Sequence, residues 1–424
     1  MSEIILTIQQ EAAIDMVKKY SISILTGGPG TGKTTTTLKI IQWAQTEKLH
    51  IAQAAPTGKA AKRMMDATKH YASTIHALLG CEHINGKFQF IHGKNKPLPC
   101  DLLIIDEISM ITNDLMCRVM EAVDPRKTKV LFIGDQDQLP SVGPGAVLRD
   151  LLASKIIPHT ELDIVQRNSG TIVSACHKIK QGILYSPPTI LDLEAESPVN
   201  LIHVECGTPE KTLAGIEAIF CDRMPLRGYD PINDVQVISP VNEKGLLSCK
   251  SINEQLRDRL NPKAWDAGDY PLRVGDKVIN TKNTEYAGAD GNGGEEYIVN
   301  GDIGFVNEIK PKDLIVTFID PDRQVVIPKK DKHLLHAYCI TCHRFQGSEA
   351  PVIIIPVHKQ FNMFLSNSWI YTAISRGKEI VITVGAFNTI TKAIRNRKPN
   401  DRHTKLTGFL AQIQQERRQL EYGI

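Results

Sequence analysis

Eight consecutive residues constrain this chain more than any others: Gly27-Gly28-Pro29-Gly30-Thr31-Gly32-Lys33-Thr34. They satisfy the pattern G-x-x-x-x-G-K-S/T, with a short apolar run at 21–26 before them and a helical pattern from Lys33 to about Glu47 after them. Glycines let the backbone wrap an anion, so that amide N–H groups and the N-terminus of the helix face phosphate oxygens. Lys33 then reaches the β- and γ-phosphates, and the Thr34 hydroxyl ligates Mg²⁺. A strand, turn and helix of this kind belong in a parallel α/β sheet whose functional loops lie at the carboxyl ends of the strands.

The neighbouring residues extend that sheet. Ala12, Ala13, Met16 and Val17 recur at helical spacing and predict a helix over 7–20. Apolar runs at 51–55, 101–105 and 129–133 predict three further strands, alternating with helices. The strand at 101–105 ends in Asp106-Glu107. On the sheet that carries the phosphate loop, such a pair places Asp106 to hold Mg²⁺ and Glu107 to orient and deprotonate an attacking water. Residues 81–99 differ: alternating positions flank Asn85-Gly86, which predicts a β-hairpin. A second α/β unit begins after about residue 165, with buried strands at 235–239, 352–356 and 380–384. Between these, runs at 277–280, 304–309, 314–319 and 324–327, separated by turn residues, predict a small inserted antiparallel barrel.

Composition limits the alternatives. The chain has 424 residues, 42% hydrophobic and 23% charged, which fits several globular domains. A formal charge of +3 does not announce a nucleic-acid partner, so any phosphate-binding charge is local. No apolar stretch approaches the ~20 residues of a membrane span, and residues 1–20 mix charges with short apolar runs, unlike a signal peptide. Nine scattered cysteines suit reduced thiols and a cytoplasmic location. Cys339-Ile340-Thr341-Cys342-His343 fits the haem-attachment pattern, but the chain shows no export signal and no second ligand pair for zinc. The expectation is two buried side chains on a strand. No Asn-Lys-x-Asp guanine signature is present.

The segment Gly134-Asp135-Gln136-Asp137-Gln138-Leu139-Pro140-Ser141-Val142-Gly143-Pro144-Gly145 resembles motif III of superfamily 1 helicases. Its tail looks most like that of the RecD-type 5′→3′ DNA helicases. The other motifs follow in the family's order. Gln10 resembles the adenine-reading glutamine, Ala55-Pro56-Thr57-Gly58-Lys59-Ala60-Ala61-Lys62 motif Ia, and Ser73-Thr74-Ile75-His76 the next DNA-contacting motif. Residues 340–349 resemble motif V and residues 371–378 motif VI.

The resemblance implies an α/β fold: two RecA-like parallel-sheet motor domains with a β-hairpin insertion and a small inserted SH3-like β-barrel. The expected boundaries are 1–80 with 99–165 for the first motor domain, 81–98 for a strand-separating pin, 166–266 with 333–424 for the second motor domain, and 267–332 for the barrel. It implies an ATP-dependent DNA helicase that moves 5′→3′ on single-stranded DNA, with ATP and Mg²⁺ as cofactors. The alternative is a single-strand-stimulated translocase or remodeller that does not unwind. A scaffold using ATP only as a switch fits poorly with a chain that keeps both Lys33 and Glu107, and an RNA track stays open.

By resemblance, Gln138 senses the γ-phosphate, and Arg167 and Arg376 stabilise the charge that develops on it. Gln10, Gly28, Pro29, Gly30, Thr31, Gly32, Lys33, Thr34, Thr35 and Glu349 make the ATP contacts. Pro56, Thr57, Lys59, His76, Thr341, His343 and Gln346 make the DNA contacts, while Lys62 suits a solvated helix face. Phe88, Phe90 and His92 either split the duplex or pack a structural hairpin on the motor core. The inserted barrel either contacts nucleic acid or a partner or is purely structural. Two departures stand out. Arg344-Phe345 replaces the usual lysine-serine of motif V, and Phe345 either stacks on a base or packs. Arg167 follows Gln166, where the family more often has phenylalanine. The implied partners are single-stranded DNA and single-strand/duplex junctions, without a membrane, for a chain functional as a monomer. The chain starts at about the first motor motif, so the N-terminal region of longer RecD-like proteins is expected to have no counterpart.

Overall fold

The computed structural model describes residues 6–84, 87–164, 170–195, 197–262, 270–289, 294–319, 322–397 and Leu406. They form two compact units that adjoin in sequence at Asn168 and Ser169.

The first unit is built on six parallel strands. Their order is Ser73–Thr74, Ile51–Ala55, Leu102–Ile105, Lys129–Gly134, Ile22–Gly27 and His159–Leu162. Successive residues of a strand face opposite sides of the sheet, so each strand feeds two cores. Leu25, Leu102, Ile104, Leu131 and Ile133 pack with Ala13, Val17, Ile40, Ile41 and Met64 from three helices. Ile24, Leu103, Ile105, Val130 and Phe132 pack on the other side with Met116, Val119, Leu148 and Leu151. Coverage on both faces explains why Leu102–Ile105 is buried throughout and carries no polar residue.

The helix Ile8–Lys19 begins with a capping box. The Thr7 hydroxyl accepts from the Gln10 amide nitrogen at 3.2 Å, and Gln10 Oε1 accepts from the Thr7 amide at 2.9 Å. Of the four apolar positions read from the sequence, Ala13, Met16 and Val17 are buried and Ala12 is exposed. Helix periodicity puts Gln10, not Ala12, on the inner face.

The second unit has a five-stranded parallel sheet: Cys339–Thr341, Val235–Ser239, Ala350–Val357, Gly377–Gly385 and Leu201–Glu205. Between the helix Cys249–Leu260 and Cys339–Thr341 runs a seven-stranded antiparallel sheet, from Lys277–Asn280 to Leu334–His336. Its inner face is alternate residues: Leu314, Val316 and Phe318 from one strand, Val325 and Ile327 from the next. Among the described residues no helix is long and apolar enough to cross a membrane.

Asp276 anchors the antiparallel sheet. It is 0% exposed and accepts from the Arg273 amide at 2.7 Å and from Asn261 Nδ2 at 2.9 Å, with His336 Nε2 at 3.0 Å. Burial alone would raise its pKa, but the His336, Arg273 and Asn261 hydrogen bonds outweigh it and hold the carboxyl below its ordinary value. A depressed folded-state pKa means that this stabilisation is full above the unfolded carboxylate's pKa and is lost as pH falls through the folded one. Asp276→Ala strands these three donors and the Tyr338 hydroxyl, 3.5 Å from Oδ1, and should destabilise the second unit by about 3 kcal/mol at pH 7. Urea unfolding of both proteins at pH 7 and at pH 3 checks this, with the gap narrowing at the lower pH.

Candidate nucleotide and nucleic-acid site

The phosphate loop leaves the strand Ile22–Gly27 and enters the helix Lys33–Thr46. Its sharp reversal uses left-handed backbone at Gly30 (φ 75°) and Gly32 (φ 89°), which side chains rarely adopt. Lys33 Nζ folds back onto the loop and donates to the carbonyls of Gly27 (2.6 Å) and Gly28 (2.9 Å). Thr31 is buried and donates to the Gly28 carbonyl at 2.9 Å. Gly28 and Pro29 are half-buried, Thr34 is exposed at the helix start, and Thr35 is half-buried behind it. Gln10 reaches the same loop: its Nε2 donates to the Gly32 carbonyl at 3.4 Å.

Asp106 and Glu107 follow Leu102–Ile105. The Asp106 amide donates to the Ala54 carbonyl of the neighbouring strand (3.0 Å), and Asp106 Oδ1 accepts from the Glu107 amide (2.8 Å). Glu107 sits at φ 52°, a left-handed conformation that is uncommon outside glycine and recurs at functional sites. Burial, and then the adjacent Glu107 charge, push Asp106 up to about 6, against Arg63 and Lys33. A carboxylate held at such expense beside a second acid, on the sheet edge that carries Thr34, is a donor set fitted to a divalent cation. Arg63 was not singled out from the sequence; the available signal was its place one helical turn after Lys59.

Gln138 lies on the next loop, after Lys129–Gly134. Its Nε2 donates to Asp135 Oδ2 at 3.3 Å, and Asp135, 2% exposed, also accepts from the Asp137 amide at 3.0 Å. The carboxyl edge of the sheet thus holds the phosphate loop, Asp106-Glu107 and Gln138 on three adjacent strands.

The next two strands carry the motif Ia residues and His76. Pro56 and Lys59 are half-buried. Thr57 caps the helix Gly58–Thr68, its hydroxyl accepting from the Ala60 amide at 3.2 Å. Thr74 caps Ile75–Leu78 in the same way. His76 is exposed, its ring 6.2 Å from that of Phe90; partial desolvation by its neighbours lowers its pKa, which favours the neutral ring at pH 7. Cys81–Ile84 and Lys87–Phe90 pair antiparallel, with Cys81 opposite Phe90 and Ile84 opposite Lys87. Phe90 therefore lies at the root of this ribbon and packs against the core of the first unit. His92 is half-buried beyond it, with Nδ1 3.1 Å from the Lys96 carbonyl. The side chain of Phe88 lies outside the described residues.

In the second unit, Thr341 ends its strand and its hydroxyl accepts from the Arg344 amide at 3.4 Å. His343 is exposed, Glu349 half-buried, and Phe345 and Gln346 are each 3% exposed. Phe345 thus packs. Arg376 is 3% exposed and donates to the Thr372 carbonyl (3.3 Å) and the Ser348 carbonyl (3.4 Å), joining motif V to motif VI. Arg167 lies outside the described residues. Cys339 and Cys342 are buried as expected, and burial pushes the Cys342 thiol up to about 12.

Two family models match the chain: an AAA domain over residues 9–144 and a UvrD-like helicase C-terminal domain over residues 336–384. The ATP-dependent RecD2 DNA helicase of Deinococcus radiodurans is 32% identical over 382 residues, which cover 89% of this chain and 49% of that protein. RecBCD enzyme subunit RecD of Mycolicibacterium smegmatis is 28% identical, covering 92% of this chain and 73% of that one. Over most of its length the chain is thus similar to RecD-like helicases. This RecD-like chain spans about half the length of the D. radiodurans protein. Its fold also matches solved Pif1 helicases. One set at forked duplex DNA gives a TM-score of 0.55 at 19% identity, covering 99% of this chain and 98% of that one. Another, from Bacteroides with ADP-AlF3 and single-stranded DNA, gives 0.52 at 20% identity and 99% coverage of both chains.

Proposed function

We propose that this RecD-like chain is an ATP-dependent motor that moves 5′→3′ along single-stranded DNA and unwinds the duplex ahead of it. One observation supports this above all: a single sheet edge carries the phosphate loop, Asp106-Glu107 and Gln138 on three adjacent strands, with Thr57 and His76 following the next two. A triphosphate site and a strand-binding row on one rigid sheet give coupling a direct mechanical route.

In this reading Lys33 exchanges the Gly27 and Gly28 carbonyls for the β- and γ-phosphates of ATP. The amide N–H groups of Gly28 and of residues 30–34, at the helix N-terminus, cradle the remaining phosphate oxygens. Gln10 reads the adenine, and Thr35 and Glu349 complete the nucleotide contacts. Thr34 and Asp106 would hold Mg²⁺, which supplies neutralisation of phosphate charge when bound. Glu107 orients the attacking water and takes its proton. Gln138 senses the γ-phosphate. Arg167 and Arg376 are assigned to that phosphate on resemblance.

Pro56, Thr57, Lys59, His76, Thr341, His343 and Gln346 hold the DNA backbone, which fixes register without reading sequence and makes binding salt-sensitive. The parallel sheets are read as two motor domains, 1–80 with 99–165 and 166–266 with 333–424. The antiparallel insertion at 267–332 is read as an SH3-like barrel, and residues 81–98 as the pin.

The root position of Phe90 favours a second reading, translocation without unwinding, since a side chain packed on the core is no wedge. Replacing residues 83–88 by Gly-Gly keeps Phe90 and removes the far end of the ribbon. Under the first reading unwinding of a tailed duplex is lost, while single-strand-stimulated ATP hydrolysis stays within about twofold. Wild-type hydrolysis stimulated by single strands without any unwinding supports the second reading. Hydrolysis indifferent to single-stranded DNA removes both.

A further inference from the structure

The strand Ala350–Val357 ends on the carboxyl edge of the second sheet and leads into a short turn, Lys359–Phe361. The next residues make a tight reversal: the amides of Phe364 and Leu365 both donate to the Phe361 carbonyl, at 2.8 and 3.0 Å. Phe361 and Leu365 are each 1% exposed and root this loop in the core. Asn396 Nδ2 holds the Leu365 carbonyl at 3.1 Å, and Ser366 caps the following helix. Between the two roots, Met363 stands 93% exposed and Phe364 59% exposed. A loop fixed at both ends presents two large apolar side chains to solvent.

The position of this tip narrows what covers it. In sheet order, Cys339–Thr341, Val235–Ser239 and Ala350–Val357 are neighbours, so their following loops lie side by side. Gln360 lies against Gly245 of the middle loop, its side-chain nitrogen 3.7 Å from where a Cβ would stand. Arg344 Nη1 donates to Asn242 Oδ1 of the same loop at 3.5 Å. Two strand spacings, about 10 Å, separate the strand that leads to the tip from the strand that leads to the Thr341–His343 turn. The exposed charges on these loops are Lys244 and Lys359 against Glu243, and His343 is exposed beside them. An apolar platform on the same sheet edge as Lys244, Lys359 and the Thr341 hydroxyl fits a single strand, whose unstacked bases offer flat faces and whose phosphates offer charge. A duplex hides those faces. Two side chains are also far less than the roughly 800 Å² per partner of a stable protein interface.

We propose that Met363 and Phe364 form an apolar step on which a base of the bound single strand rests. The proposal builds on the motor reading above. Fluorescence anisotropy with an oligothymidine and with an abasic strand of equal length tests both. Wild type should prefer the base-bearing strand. The double variant Met363→Ala/Phe364→Ala should lose about tenfold in affinity for oligothymidine and none for the abasic strand. Phe364→Trp alone should retain the preference. An unchanged thermal midpoint establishes that the double variant is folded. If it binds oligothymidine as wild type does, or weakens equally on both strands, the step is not a base contact. Wild-type self-association abolished in the double variant, with DNA affinity intact, would instead make the tip a contact between copies. If wild type binds neither strand, the step and the motor reading both fail.

Discussion

Glu107→Gln should lower the kcat of ATP hydrolysis by about 10²–10⁴, the usual contribution of a positioned general base. The amide keeps the size of the side chain and removes its basicity. The left-handed backbone at position 107 (φ 52°) is no harder for glutamine than for glutamate, so the fold should persist. Lys33 and Asp106 stay in place, so nucleotide binding should persist as well. Steady-state turnover, alongside titration with a fluorescent ATP analogue, separates the two effects. Lost turnover with retained binding fits a base. Turnover within tenfold of wild type would move the base elsewhere, and parallel loss of binding would make Glu107 a structural acid.

Lys33→Ala should act earlier, on binding and turnover together. The ammonium holds two loop carbonyls at 2.6 and 2.9 Å, so the loop is ordered around a cation before any phosphate arrives. Removing it strands those carbonyls and deletes the positive charge meant for the β- and γ-phosphates. A drop in kcat/KM for ATP of about 10³ or more is expected, on the scale of losing a principal electrostatic contact in phosphoryl transfer. Gly27 is buried and Gly28 half-buried, so stranding their carbonyls should also lower global stability, by about 1–3 kcal/mol. Coupled-enzyme assays and urea unfolding on the same samples keep the two effects apart. A variant that unfolds before it loses activity would make Lys33 a strut.

Much of this was legible in the sequence, for identifiable reasons. Strands buried on both faces announce themselves as apolar runs, so those at 51–55 and 235–239 have the bounds read for them. The alternation read around Asn85-Gly86 matches the antiparallel pairing of Cys81–Ile84 with Lys87–Phe90, while residues 85 and 86 themselves lie outside the described residues. His159–Leu162 went unread: it is an edge strand with partly exposed polar residues, and pairing with Ile22–Gly27, not composition, makes it a strand. Thr284–Gly288 and Glu295–Ile298 were missed because exposed glutamates and a glycine mask their alternation. At the candidate site, motif spacing singled out Lys33, Asp106, Glu107 and Gln138, and the structure brings all four to one sheet edge, since such chemistry needs fixed residue types at strand ends. It did not foresee that Gln10 both caps its helix and touches the phosphate loop, nor that Phe90 is a root and not a tip. Those depend on packing partners distant in sequence. Phe345 was undecided for the same reason, and its burial resolves it.

The most direct test of ATP-driven, directional movement uses duplexes that carry a single-stranded tail at only the 5′ or only the 3′ end. With ATP present, the 5′-tailed duplex should be unwound and the 3′-tailed one should not, with Glu107→Gln inactive on both. Strand separation confined to the 3′-tailed substrate, or proceeding equally without ATP, would contradict a 5′→3′ motor powered by this phosphate loop.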